Sequence, residues 1–321
     1  MKNKYVFVAV MLCCILFISV GFTNLYVNQN SSPGKEEDFV IVTSFYPMYI
    51  ATMNVVEDIP GVTLKNLSEP ETGCLHDFQL TPADMKLLST ADVFIMNGGG
   101  IESFMEEIAE EYPNLTVINA CEGIELLGGV HEHENEHEHE HEEEATHEDE
   151  RNAHAWMSLS LHRQQLGKIA EGLKEANPAN KVEYERNAAK YDEKLEKLEE
   201  KQQELRKLTK EKAAIMFHCA FDYVAQDYGL QVAYCMDLDE ERQVSAGEVA
   251  NVLSIIEKDD VKFVFAEELY AKSMCETVQK EADVRVIYLD PLTRGEYDAD
   301  SYIEGMTDNM NLIKDAFLQE E

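Results

Sequence analysis

Positive charge is scarce in this 321-residue chain. It contains 27 Lys and Arg residues against 63 Asp and Glu residues, which gives a formal net charge of −36 at pH 7. A surface of this sign repels nucleic acids and anionic lipid headgroups, and it attracts cations. The composition therefore excludes nucleic acid as an expected partner and favours a cationic ligand.

Paired cysteine motifs are also missing, because no two cysteines have the Cys-x-x-Cys spacing. Five cysteines follow the N-terminal segment, so any set of disulfides leaves at least one unpaired or bonded to another molecule. The spacing leaves their connectivity open. They are Cys74, Cys121, Cys219, Cys235 and Cys275.

The N-terminus carries an apolar run that is typical of an export signal. Lys2 and Lys4 precede uncharged, mostly apolar residues at 5–27. A run of 23 residues can also span a bilayer as a helix. Residues 1–27 are therefore a cleaved signal peptide or an uncleaved anchor, with lipidation at Cys13 or Cys14 as a further alternative. In each case the rest of the chain lies outside the cytoplasm, tethered through a polar linker at 28–37.

Strand patterns alternate with helical patterns through most of the remaining chain. Such alternation predicts α/β lobes with mostly parallel sheets, and the chain length suggests about two domains. We predict two Rossmann-like lobes at 38–180 and 213–321. The runs that predict strands are "DFVIVTSFYP", "VTLKNL", "ADVFIMNGGG", "NLTVINA", "AAIMF", "LQVAYCM", "VKFVFA" and "VRVIYLD".

One long amphipathic helix is predicted between the lobes, at 181–212. Its apolar stripe has three- and four-residue spacing and is interrupted only by Gln202. At 1.5 Å per residue this helix would extend about 48 Å, enough to reach from one lobe to the other. The stripe consists of Tyr184, Ala188, Tyr191, Leu195, Leu198, Leu205 and Leu208.

An acidic, histidine-rich tract at 131–150 interrupts the first lobe. It contains ten Glu, one Asp and only one apolar residue, Ala145. Charges this dense repel one another and cannot bury a core, so we predict a disordered loop at 130–150. Ordering it costs about 1 kcal/mol or more per residue, so it should bind metal more weakly than a preformed pocket. It either collects metal or only adds solubility. Its histidines are His131, His133, His137, His139, His141 and His147.

Three other histidines fall near the edges of predicted strands and helices. His76 follows a strand and precedes a helix, His154 precedes a helix, and His218 ends the first strand of the second lobe. One histidine at such an edge is usually only hydrogen-bonded. Three at equivalent edges favour a shared metal, and neutral imidazole suits Zn²⁺. His162 lies inside a helical pattern among polar residues, and we expect it to be solvated.

Five segments together resemble the metal-binding component of ABC-type zinc importers, a group that includes manganese-binding lipoproteins. The resemblance covers nearly the whole chain after the export signal. Leu75 and Ala153 stand where members usually have proline before the first and second histidine. The segments are "LHDFQLTPADMKLLSTADVFIMNGGGIESF", "AHAWMS", "FHCAFDYVAQDYGL", "FVFAEELY" and "VIYLDPLT".

The resemblance implies one Zn²⁺ bound in the cleft between the lobes by His76, His154 and His218. Asp290 matches the position where manganese members use Asp, and it is the predicted fourth ligand. Some zinc members instead supply Glu near Thr293, and water is a third alternative. Manganese members have a carboxylate in place of His218, and three nitrogen ligands favour zinc.

The implied function is that of a monomeric, extracytoplasmic solute-binding protein, not an enzyme. It would deliver Zn²⁺ to an ABC permease and its ATPase, and the tract would be the accessory loop that such importers often carry. Manganese binding and a role as a surface adhesin or metal buffer remain alternatives. A zinc hydrolase needs a general base such as the Glu of His-Glu-x-x-His. That spacing occurs only inside the tract predicted to be disordered.

Overall fold

The computed structural model describes residues 38–319, except 71, 73–74, 76–77, 129–150 and 239–242. The predicted signal or anchor, the linker, His76 and the predicted loop histidines all lie outside the described residues. Within the described part, no helix combines the length and apolar character needed to cross a membrane.

The first lobe contains a four-stranded sheet in the order β2-β1-β3-β4, in which β3 pairs in parallel with β1 and with β4. Ile41, Val42, Phe94 and Ile95 on its two central strands are all fully buried. Consecutive apolar residues fit strands that are covered on both faces. The strands are β1 (Phe39–Thr43), β2 (Val62–Asn66), β3 (Val93–Met96) and β4 (Thr116–Asn119). The helices are α1 (Tyr46–Val55), α2 (Pro82–Leu88), α3 (Met105–Glu111) and α4 (Leu159–Ala176).

The second lobe repeats this arrangement in the order β6-β5-β7-β8, with each neighbouring pair parallel. The predicted pair of α/β lobes with parallel sheets is therefore confirmed. The strands are β5 (Ala213–Met216), β6 (Gln231–Cys235), β7 (Phe263–Ala266) and β8 (Arg285–Tyr288). The helices are α6 (Phe221–Tyr228), α7 (Ala246–Lys258), α8 (Glu268–Glu281) and α9 (Ser301–Leu318).

Between the lobes runs one 29-residue helix, α5 (Lys181–Thr209), about 44 Å long. It ends three residues before the predicted boundary, since Glu211 has a φ of 68° and cannot continue a helix. Gln202 does not interrupt the buried stripe, because it is itself buried, whereas Leu208 is exposed. A period of 3.6 residues places Gln202 and Thr209, not Leu208, on the face begun by Tyr184.

The two ends of α5 bond to different lobes. Near its start, Asn187 Nδ2 donates to the carbonyl oxygens of Val55 and Glu57, at 3.2 and 2.8 Å. At its end, Thr209 Oγ1 donates to the carbonyl oxygen of Tyr228 at 2.7 Å. The helix therefore contacts α1 of the first lobe and α6 of the second as one continuous element.

Candidate metal site

The carboxyl ends of the second sheet present four polar side chains at equivalent positions. His218 and Asp237 each lie two residues beyond β5 and β6, Glu267 directly follows β7, and Asp290 lies two residues beyond β8. Ligands in open α/β sheets gather at this edge. Parallel pairing therefore brings residues far apart in sequence to one side of the sheet.

His154 reaches this edge from the first lobe, where glycine permits a close approach. Gly99 has a φ of 71°, and a Cβ atom there would lie 3.1 Å from the Cα of Ala153 and 2.8 Å from a Leu126 methyl carbon. Asn97 Nδ2 also donates to the carbonyl oxygen of Ala153 at 2.9 Å. The turn after β3 therefore fixes the segment that carries His154.

Asn152 fixes the orientation of the His154 ring. Its Oδ1 accepts the backbone N–H of His154 at 3.1 Å and lies 2.9 Å from Nδ1 of the ring. Its Nδ2 donates to the carbonyl oxygen of Cys219 at 2.7 Å, which determines which end of the amide faces the histidine. Nδ1 of His154 therefore carries the proton, and Nε2 retains the lone pair that binds a metal.

His218 lies between two carboxylates. Asp237 Oδ1 is 3.4 Å from its Nδ1, and Glu267 Oε2 is 3.7 Å from its Nε2. A proton held on Nδ1 toward Asp237 leaves Nε2 available to a metal, as carboxylates commonly arrange in zinc sites. The N–H of Ala220 approaches the same Nδ1 at 3.2 Å, so the tautomer depends on which partner engages it.

The electrostatics of this edge favour a cation. Burial alone would raise the pKa of Asp237, but its hydrogen bond and charge interaction with His218 lower that pKa below its usual range. Burial and the nearby charge of Asp237 raise the pKa of Asp222 to about 6. Glu267 also forms an ion pair with Arg294 at 3.0 Å. Crowded carboxylates of this kind attract a divalent ion.

Two of the predicted ligands meet at this site. His154 and His218 are each only 1% exposed, and their ring centroids lie 5.2 Å apart. Within the described ranges, they form one group of potential metal ligands with Cys219, whose ligand atoms all lie within 4.8 Å of one another. His76 is outside those ranges.

Asp290, the predicted fourth ligand, is not part of this group. Its Oδ1 accepts the N–H of Leu292 at 2.7 Å, and Asn309 bonds both its main-chain N–H and its carbonyl oxygen. Although it keeps an exposed surface, desolvation by the surrounding protein raises its pKa. Thr293 offers a buried hydroxyl and no carboxylate. Its Oγ1 has no hydrogen-bond partner among the described residues.

His162 is not solvated, contrary to the sequence-based expectation. It is fully buried on α4, with its ring stacked on Tyr302 at a centroid distance of 4.0 Å. Desolvation lowers its pKa to about 4, although Gln165 opposes this shift. The error arises because its polar neighbours in sequence occupy other faces of the helix. Leu159 and Leu166, at helical spacing from His162, are buried with it.

Sequence analysis did not identify Asn152, Cys219, Asp237 or Glu267 as part of the site. Cys219 adjoins His218 and Asn152 lies two residues before His154, so proximity in sequence was the available signal. Asp237 and Glu267 are recognisable only once parallel pairing places their strand ends together.

Comparison with known proteins identifies the family. Residues 41–316 match the family model described as zinc-uptake complex component A, periplasmic. The high-affinity zinc uptake system protein ZnuA of Bacillus subtilis is 29% identical over 312 residues, covering 95% of each chain. The zinc-binding lipoprotein AdcA of Streptococcus pneumoniae is 28% identical over 96% of this chain, which spans 60% of that longer relative.

Solved structures give the same result. The solute-binding protein FpvC of P. aeruginosa in complex with Ni²⁺ is 26% identical and has a TM-score of 0.72, covering 88% of this chain and 98% of its own. Zn(II)-bound AdcA from S. pneumoniae is 25% identical with a TM-score of 0.70, covering 87% of this chain and 58% of that one. Because the family model spans most of the described fold, this chain belongs to the zinc-uptake complex component A family of solute-binding proteins.

Proposed function

We propose that this protein captures one Zn²⁺ outside the cytoplasm and delivers it to an ABC-type permease driven by an ATPase. The observation that carries the proposal is the pair of buried imidazoles, His154 and His218, which approach from different lobes to a centroid distance of 5.2 Å. Asn152 is placed to hold the proton on Nδ1 of His154, and Asp237 lies 3.4 Å from Nδ1 of His218.

The donor set supports zinc as the cargo. Imidazole nitrogen suits Zn²⁺, whereas the harder Mn²⁺ prefers oxygen ligands. His76 completes a set of three histidines in the proposal, and the fourth position is taken up below. FpvC is also known in complex with Mn²⁺, so selectivity between these metals is the property to measure.

The remaining parts of the proposal concern place and partners. The N-terminal apolar run directs export, as a cleaved signal or an uncleaved anchor, and an anchor or lipidation would tether the protein to the outer face of the membrane. AdcA is named a lipoprotein, which supports tethering. The protein acts as a monomer, and the acidic tract collects zinc near the site. The family is one of solute-binding proteins, and we assign no reaction to this chain.

A competition titration against a zinc-selective chelator tests the site. We expect one tight Zn²⁺ per wild-type chain, and weakening of at least about a hundredfold for His154→Ala or His218→Ala, since each loses a ligand. His162→Phe is the matched control, because it replaces a buried histidine that stacks on Tyr302 away from the ligand group. Equal losses in all three variants would contradict the assignment.

The partners are tested separately in cells. Deleting the gene should impair growth only when zinc is chelated, and added zinc should restore growth. Loss of surface attachment without a zinc-dependent growth defect would instead support the adhesin alternative. Growth restored by manganese but not by zinc would support a manganese importer.

A further inference from the structure

Cys219 directly follows His218 and brings its sulfur to the histidine of the other lobe. Its Sγ lies 3.6 Å from Nδ1 of His154. One ring nitrogen of each histidine and this sulfur lie within 4.8 Å of one another. We propose that Cys219 is a zinc ligand that binds the same ion as His154 and His218. This inference rests on the proposed function.

The ion needs donors besides the two imidazoles, and Cys219 is the third member of the ligand group found among the described residues. Zinc sites built on protein ligands alone are almost always tetrahedral. The Asp290 carboxylate accepts a hydrogen bond from Leu292 and stands outside the ligand group. Thr293 has only a hydroxyl where some zinc relatives supply Glu. In this proposal the Cys219 sulfur replaces the Asp290 carboxylate oxygen that the sequence predicted as a ligand.

The main chain of Cys219 is held from both lobes. Its N–H donates to Asp237 Oδ1 at 3.1 Å, and its carbonyl oxygen accepts from Asn152 Nδ2 at 2.7 Å. Both bonds come from residues that also contact a histidine of the site. The Cα of Cys219 is thus fixed relative to both rings, and only rotation about χ1 is left to place the sulfur.

The spacing is close to what zinc requires. Zn–S bonds of about 2.3 Å and Zn–N bonds of about 2.0–2.1 Å put sulfur and nitrogen about 3.6 Å apart across a tetrahedral ion. The ligand atoms of the group lie within 4.8 Å of one another, so the sulfur–nitrogen spacing exceeds this value by at most about 1.2 Å. Asn152 engages Nδ1 of His154, so the ion binds at Nε2. Because Sγ lies 3.6 Å from Nδ1, binding an ion at Nε2 requires rotation of the Cys219 side chain about χ1.

Binding of zinc to Cys219 changes no oxidation state and needs no reactant besides the ion. The Sγ–H bond breaks, the proton passes to solvent, and the sulfur electron pair forms the Zn–S bond. A thiolate is a soft ligand that selects zinc over manganese. Cys219 is therefore also a residue that determines metal specificity.

Cobalt substitution of the full-length protein tests the inference, with a non-thiol reductant present throughout. Co²⁺ bound to a thiolate gives an intense near-ultraviolet charge-transfer band that nitrogen and oxygen ligands do not give. We expect this band in the wild type and in Cys235→Ser, whose thiol lies outside the ligand group. We expect its loss in Cys219→Ala and Cys219→Ser. Wild-type protein that binds one Co²⁺ without the band overturns the inference, as does a band that survives in Cys219→Ala.

Zinc affinity provides a second readout. Cys219→Ala should bind Zn²⁺ at least about tenfold more weakly than wild type, with a smaller preference for zinc over manganese. Cys235→Ser should be unchanged. If Asp290→Asn loses affinity and Cys219→Ala does not, Asp290 is the fourth ligand and the inference is wrong. Failure of wild-type protein to bind one zinc at all would instead refute the proposed function.

Discussion

Removing the side-chain amide of Asn152 tests whether the orientation of His154 is built into the protein before metal arrives. Asn152→Ala deletes the contact to Nδ1, the bond to the N–H of His154 and the bond to the carbonyl oxygen of Cys219. The variant removes no ligand. Its effect on zinc binding must therefore pass through the orientation of the His154 ring or the placement of Cys219.

The expected loss of affinity is about 10- to 100-fold, which is typical when the partner of a metal-binding imidazole is removed. This corresponds to about 1.4–2.7 kcal/mol of binding free energy. The carbonyl oxygen of Cys219 also loses a donor, so the free energy of unfolding should fall by about 1–3 kcal/mol. Asn152→Asp keeps acceptors for both His154 donors. It should keep more of the zinc affinity than Asn152→Ala, although it loses the bond to Cys219.

A competition titration for zinc and urea denaturation of the metal-free protein measure the two effects. Asn187→Ala is the matched control, because Asn187 is a buried amide that bonds two carbonyl oxygens far from the site in sequence. Both alanine variants should lose stability, but only Asn152→Ala should lose zinc affinity. An affinity for Asn152→Ala within about twofold of wild type would refute the reasoning.

Three further predictions concern the buried His162, the response of the lobes to zinc and the acidic tract. Desolvation lowers the pKa of His162 to about 4. The neutral ring therefore contributes about 3 kcal/mol to the free energy of unfolding above pH 6.5, and this contribution is lost as the pH falls toward 4. His162→Phe should therefore lose less stability than wild type between pH 7 and pH 5 in urea titrations. Zinc should change the radius of gyration little in solution scattering, because α5 bonds to both lobes, and a large compaction would contradict this. Deleting 131–149 should keep one tight zinc site and abolish only weaker ones in calorimetry. Loss of the tight event would make the tract part of the primary site.

The sequence predicted the secondary structure well because its strongest patterns are local. All eight strand runs contain observed strands, and the helix predicted to follow His76 begins at Pro82, with a reciprocal cap between Thr81 and Asp84. Such caps bond residues only three positions apart, so they are readable in sequence. Gln202 was misjudged because its partners come from another helix. Its side chain forms hydrogen bonds with the side chains of Asp227 and Tyr228 at the end of α6.

The site itself was only partly predictable. His154 and His218 stand at edges of local elements, where a pattern reveals them. Cys219 was one of five cysteines with no distinguishing spacing, and Asn152 was one polar residue beside the acidic tract. Their importance depends on a tertiary contact, the hydrogen bond from Asn152 to the carbonyl oxygen of Cys219, which joins positions 67 residues apart.

The hydrogen bond between Asn152 and Cys219 already joins the two lobes, so we expect the site to form without a wide hinge closure. The chain segment of His154 belongs to the first lobe, yet Trp156 Nε1 donates to the carbonyl oxygen of Pro291 at 2.8 Å, and Tyr302 donates to the carbonyl oxygen of Trp156 at 2.6 Å. A loop and helix α9 of the second lobe thus hold Trp156, two residues after His154. Separating the lobes would break these bonds, so we expect metal capture to involve local side-chain rotation. If zinc leaves without lobe separation, its release should begin with a local change in the segments that carry His154 and Cys219.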